Sequence, residues 1–146
     1  MTPIPNSLDL AAPPLPSSLH LILVSSWIGL LLGVFSGALL GLFFHRDDFM
    51  GGYQSFRRRL ARLGHISFFG LAFLNFFFVL TAVLLGFDEA RARPAALALL
   101  LGAATMPTVC FLTAWKKPFR HLFFIPVGGV AIGIVLTLRH LIPSAS

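Results

Sequence analysis

The sequence predicts an all-α integral membrane protein built as a bundle of four transmembrane helices. Three observations carry that prediction. Hydrophobic residues make up 57% of the 146 residues and charged residues only 11%. The mean hydropathy is +0.88. The apolar residues are gathered into four long runs, and the charged residues lie in the short segments between them. A soluble domain carries roughly 45–50% apolar and about 25% charged residues. At this size it still leaves roughly 30% of its unfolded surface in water. A soluble enzyme, a disordered chain and a disulfide scaffold are therefore excluded, the last because Cys110 is the single cysteine.

Residues 1–18 read as an extended polar tail, rich in proline at Pro3, Pro5, Pro13, Pro14 and Pro16. This tail has neither the basic start nor the clear cleavage site of a signal peptide. Residues 19–146 form one domain. Its first span covers 19–44, long enough to cross about 30 Å of hydrocarbon with tilt to spare. The second covers 65–87, preceded by an arginine-rich stretch, 57–62, that suits a short interfacial helix. The third covers 95–114, with Pro94 in its first turn, and the fourth covers 121–142. Pro107 and Pro126 are expected to kink spans three and four, since each removes a helix hydrogen bond. Trp115, Phe119 and Tyr53 suit the aromatic belt at the membrane surface. The phenylalanines of span two, from Phe68 to Phe78, read as packing and lipid-facing surface.

Short loops make neighbouring spans antiparallel, and an even number puts both termini on one side. Arg46, Arg57, Arg58, Arg59 and Arg62 lie in the first loop, and Lys116, Lys117 and Arg120 in the third. The opposite side has Arg91, Arg93 and Arg139, balanced by Asp9, Asp88 and Glu89. The positive-inside rule places both basic loops in the cytoplasm and both termini outside, in the plasma (inner) membrane of a bacterium. The net charge of +6 is then explained by topology and anionic headgroups. Nucleic acid is not an expected partner, because no aromatic-and-basic interleaving accompanies the charge. No Asp, Glu, Lys or Arg falls within the predicted spans except Arg139, near the end of span four, which argues against a proton- or cation-coupled carrier. The small multidrug exporters, similar in size, depend on a membrane-embedded Glu that is missing here.

Small residues recur every fourth position in span one: Ser25, Gly29, Gly33, Gly37 and Gly41. Gly129 and Gly133 repeat the spacing in span four. Such stripes let helix backbones approach closely. They serve packing within the chain or, alternatively, a docking face for another subunit or a flat cofactor. Asn75 is the one strongly polar side chain deep in a span. It is expected to hydrogen-bond across helices, with a quinone carbonyl as the sharper alternative.

The five histidines are His20, His45, His65, His121 and His140, and neutral imidazole ligates haem iron. With the topology above, His20 and His140 fall near the outer face and could ligate one haem b. Trp27, on the same face of span one as His20, would turn inward to pack on the porphyrin, and Arg139 would lie near a propionate. His45 or His65 with His121 could hold a second haem at the cytoplasmic face, beside Arg62 or Arg120. The plainer reading is that all five are interfacial or structural, since His20 and His45 are about 37 Å apart along a helix, at or beyond the hydrocarbon edges. No zinc spacing is present, and no Cys-x-x-Cys-His for covalent haem.

The segment Leu19-His20-Leu21-Ile22-Leu23-Val24-Ser25-Ser26-Trp27-Ile28-Gly29 reads L-H-x6-W-x-G. It resembles the first span of small bacterial membrane families, the copper-resistance D type and the membrane protoporphyrinogen oxidases. The resemblance implies a haem- or porphyrin-binding role for His20, and porphyrin oxidation as an enzymatic reading. The residues themselves show no nucleophile–base arrangement, phosphate loop or paired carboxylates, and a chain with almost no soluble part has little room for an independent active site. Two readings stand first: a haem b-binding or electron-transfer subunit of a larger quinol- or cytochrome-linked complex, or a cofactor-free accessory subunit that packs on its partners through the glycine stripe.

Overall fold

The computed structural model describes residues 14–142. Most of the proline-rich tail, including Pro3, Pro5 and Pro13, lies outside the described residues. Four helices follow in order: α1 (Ser17–Leu42), α2 (Phe56–Leu84), α3 (Glu89–Trp115) and α4 (Phe124–Leu141). All four, α4 together with the short 3-10 stretch Lys117–Phe123 before it, are long and apolar enough to cross a membrane, with mean hydropathies of 2.0 to 2.2. No strand occurs among the described residues. The chain is an all-helical protein of membrane-spanning type, and its exposed leucine, phenylalanine and valine side chains suit lipid contact.

Local chemistry sets the helix boundaries, and it moves three of them from where hydropathy alone put them. Ser55 caps α2, its hydroxyl accepting from Arg58 N at 3.1 Å. The arginine-rich stretch 57–62 is thereby the first turns of α2 itself, not a separate interfacial helix. Asp88 caps α3, its carboxylate accepting from Arg91 N at 2.9 Å. The helix starts at Glu89, so Pro94 sits in the second turn rather than the first. Pro126 lies in the first turn of α4, just after the backbone passes from 3-10 to α at Phe124. Pro107 lies in the middle of α3.

The α2–α3 connection is tight. Gly86 adopts φ 62°, the left-handed region where a side chain is disfavoured. Phe87 N donates to Ala82 O at 2.8 Å and Gly86 N to Val83 O at 3.2 Å, the Schellman pattern of a helix end. Phe87 is buried beneath the turn. This reversal lays α3 along α2.

Helix α3 is the hub. It packs on α1, α2 and α4, while α1 packs on α2 and α3, and α1 and α4 share no seam. Small residues make the close approaches. A Cβ at Gly29 would lie 3.2 Å from Ala72 Cβ, at Gly33 2.8 Å from the Phe69 ring, and at Gly37 2.6 Å from His65 Cε1. The stripe of α1 therefore lies against α2. Gly41, its last member, has no atom near its side. On the other side of the hub a Cβ at Gly129 would lie 3.0 Å from Ala98 O and 3.1 Å from Gly102 N, and at Gly133 it would run into Leu99. The α3–α4 seam is thus a contact of backbone on backbone. The buried core runs through Leu19, Ile22, Phe78, Ala82, Ala96 and Leu99 at one end of the bundle.

Candidate functional site

A crevice of about 340 Å³ lies between α1, α2 and α3, with the exposed Ile28, Leu32, Ala104 and Thr108 in its lining. It exists because the residues around it are small: Gly29 on α1, Ala72 on α2, Ala103 and Ala104 on α3. Its polar side chains are Asn75, Ser25 and Thr108. Asn75 lies nine residues before the end of α2, which is about 14 Å along the helix and near the middle of a bilayer.

Asn75 is 1% exposed, and neither its amide nitrogen nor its carbonyl oxygen has a hydrogen-bond partner among the described residues. The cross-helix bond expected of it is not formed. The reason lies in what faces it. Ala103 and Ala104 carry no polar side-chain atoms. The two nearby hydroxyls are turned into their own helices, Ser25 Oγ donating to Ile22 O at 2.7 Å and Thr108 Oγ1 to Ala104 O at 2.7 Å. Their oxygens keep lone pairs free, so both remain acceptors. Pro107, also in the wall, contributes no backbone N–H donor. The crevice is apolar in bulk, rich in acceptors, and supplied with one strong donor, the Asn75 amide. That composition is typical of small-molecule sites, where a few polar groups orient a ligand held by apolar walls.

The histidines are distributed differently from the expectation. His20 is exposed beside α3, lining a shallow cavity with Glu89, Arg93 and Leu97. The His140 ring packs edge-on against Phe87, 5.2 Å between centroids. Helices α1 and α4, which carry the two residues, both pack on α3 and share no direct seam. Trp27 is 61% exposed. It meets Phe76 edge-on at 6.3 Å, on the outside of the bundle. The face carrying His20 and Trp27 points outward because the opposite face, through Leu19, Ile22, Ser26 and Gly33, is the buried one.

At the other end, His65 is enclosed between α1 and α2. Its Nδ1 lies 3.1 Å from Ser36 Oγ, and its ring is edge-on to Phe69. His45 and His121 are exposed. No cluster of three or more His, Cys, Asp or Glu side chains able to hold a metal ion occurs among the described residues.

This basic end is organised by Arg58, which is 4% exposed. Its guanidinium donates to Phe44 O at 2.9 Å and lies over the rings of Phe44, Phe49 and Tyr53 at 5.2, 5.9 and 5.3 Å. Arg57 Nε donates to Ala114 O at 3.0 Å, on the last turn of α3.

Sequence reasoning singled out Asn75 but not the crevice. The signal that could have found it is the coincidence of small residues in three spans, Gly29, Ala72 and Ala103–Ala104, at matching depth with the Asn and with Pro107.

Comparison with known protein families, curated proteins and solved structures gives no match for this chain.

Proposed function

We propose that this chain is an accessory subunit of a larger membrane redox assembly and that it holds a lipid-soluble quinone or quinol in the crevice between α1, α2 and α3. The observation that carries the reading is the buried, unpartnered carboxamide of Asn75 in the crevice wall. Leaving such a group unpaired costs about 1–3 kcal/mol, and a ligand that bonds it recovers part of that cost. A carboxamide serves both redox forms. Its N–H donates to a quinone carbonyl, and its oxygen accepts from a quinol hydroxyl. The additional acceptor oxygens of Ser25 and Thr108 favour the hydroxyl-bearing form. The small residues leave room for a flat ring, and the crevice depth suits a ligand arriving through lipid. On this reading the basic loops face the cytoplasm of a bacterial cell, from the Lys/Arg bias, and the redox centre that exchanges electrons with the ligand belongs to a partner.

The test is binding of a short-tailed benzoquinone to the purified full chain in detergent, read as quenching of tryptophan fluorescence, with Trp27 one position from the crevice residue Ile28. Saturable quenching is expected, weakened about 5- to 10-fold by Asn75→Leu, the equivalent of one hydrogen bond. A ring analogue lacking both oxygens should bind the two proteins equally. Equal affinity of wild type and variant for the quinone overturns the reading.

A further inference from the structure

A further cavity, of about 360 Å³, lies at the basic end of the bundle, the opposite end from His20. Lys117 and Arg120 project from the α3–α4 link, Thr113 lies on the last turns of α3, and Phe56, Leu60 and Phe123 form the walls. Neither cation makes an ion pair, since the salt bridge among the described residues joins Arg46 and Asp48. Thr113 is 1% exposed, and its hydroxyl has no hydrogen-bond partner. That is unusual on a helix, where a threonine commonly donates to the carbonyl four residues back, as Thr105, Thr108 and Thr137 do here.

We infer that this cavity is a binding site for the phosphate of an anionic glycerophospholipid. Two cations without an ion pair and one unpartnered hydroxyl line the cavity from two elements, and these are the donor types a phosphate diester takes. The aromatic and leucine walls run along the first turns of α2 toward the membrane interior and suit an acyl chain. The C-terminal carbonyls of α3 would repel an anion, but the Arg57 guanidinium covers that end through Ala114 O. Basic pockets at the ends of transmembrane helices take anionic headgroups by this chemistry. The inference stands on Thr113, Lys117 and Arg120 and is independent of the quinone reading.

The experiment uses the full chain in neutral detergent, with lipid binding read by native mass spectrometry and by thermal stabilisation. Phosphatidylglycerol, phosphatidylcholine and inorganic phosphate are the probes. Wild type should bind phosphatidylglycerol at least 10-fold more tightly than phosphatidylcholine. The double variant Lys117→Gln/Arg120→Gln should weaken the anionic lipid about 25-fold, near fivefold per cation. Thr113→Val, close in shape, should weaken it severalfold, whereas Arg59→Gln, an exposed cation outside the cavity, should change it less than twofold. The double variant alters exposed side chains, so unfolding does not confuse the result, and its melting temperature without lipid checks this. Equal binding of the two lipids, or undiminished binding by the double variant or by Thr113→Val, overturns the site. Saturation by millimolar inorganic phosphate with no preference for anionic lipid overturns the lipid as its source.

Discussion

The carboxylate of Glu89, at the start of α3, caps the start of α1: it accepts from Ser18 N at 3.1 Å and from Ser18 Oγ at 3.0 Å. Helix α1 begins after Pro16 with no capping side chain of its own. Its first amides are satisfied from another helix, 71 residues away in sequence. One side chain thus fixes the register of the two parallel helices that form two walls of the crevice.

Glu89→Ala should lower the midpoint of thermal unfolding in detergent, because it removes the cap of α1. Glu89→Gln, which keeps an acceptor oxygen, should lose less than half as much. Equal losses would show that charge, and not the capping bond, holds the two helix starts together.

The glycines should separate by what faces them. At Gly129 an added methyl meets backbone atoms that cannot swing aside, so Gly129→Ala should cost about 1–3 kcal/mol. Gly33 and Gly37 face the rings of Phe69 and His65, and replacement of either by Leu should disrupt folding. Gly41→Ala should be neutral or stabilising, by up to about 1 kcal/mol from helix propensity. Thermal melts of the four variants check the order.

Asn75→Leu should raise stability by about 1 kcal/mol while weakening quinone binding. An apolar side chain of similar size removes a buried polar group that has no partner in this fold. A binding site commonly costs stability in this way. A lower melting temperature for Asn75→Leu would mean that the carboxamide is bonded within the protein.

Arg58→Ala should free the loop that precedes α2. The guanidinium holds the Phe44 carbonyl and stacks three aromatic rings. Without it, trypsin should cut after the exposed Arg46 at least several times faster, at unchanged helix content by circular dichroism. Arg58→Lys should behave like Ala, because an ammonium cannot span the carbonyl and the rings together.

A cysteine placed at Gln54, exposed in the basic loop, should resist an impermeant maleimide in intact bacterial cells and react after lysis. Cys110 is buried and serves as the silent background. Labelling of intact cells would reverse the proposed orientation.

The number and type of helices were legible because a bilayer-length apolar run admits one regular structure, in which every backbone amide is satisfied internally. Their ends were less legible. Hydropathy stops where Arg57–Arg59 and Glu89–Arg93 begin, but the caps at Ser55 and Asp88 carry both helices through those charges. The glycine spacing on α1 marks its buried face, and it leaves His20 and Trp27 outside. What no spacing discloses is which helices are neighbours. In lipid the apolar faces are nearly interchangeable, and adjacency is decided by shape at positions such as Gly102 and Gly129. Asn75 was conspicuous as a polar residue at depth, but its isolation depends on the register of α2 against two alanines of α3.

The absence of a seam between α1 and α4 has a kinetic meaning. The three helices that enclose the crevice are consecutive in the chain, so the site can assemble as soon as α3 has been inserted during synthesis, before α4 is complete. The fourth helix arrives last and seats on the outer side of α3 along Gly102, Gly129 and Gly133. It contributes no lining residue to the crevice and braces α3 from the other side.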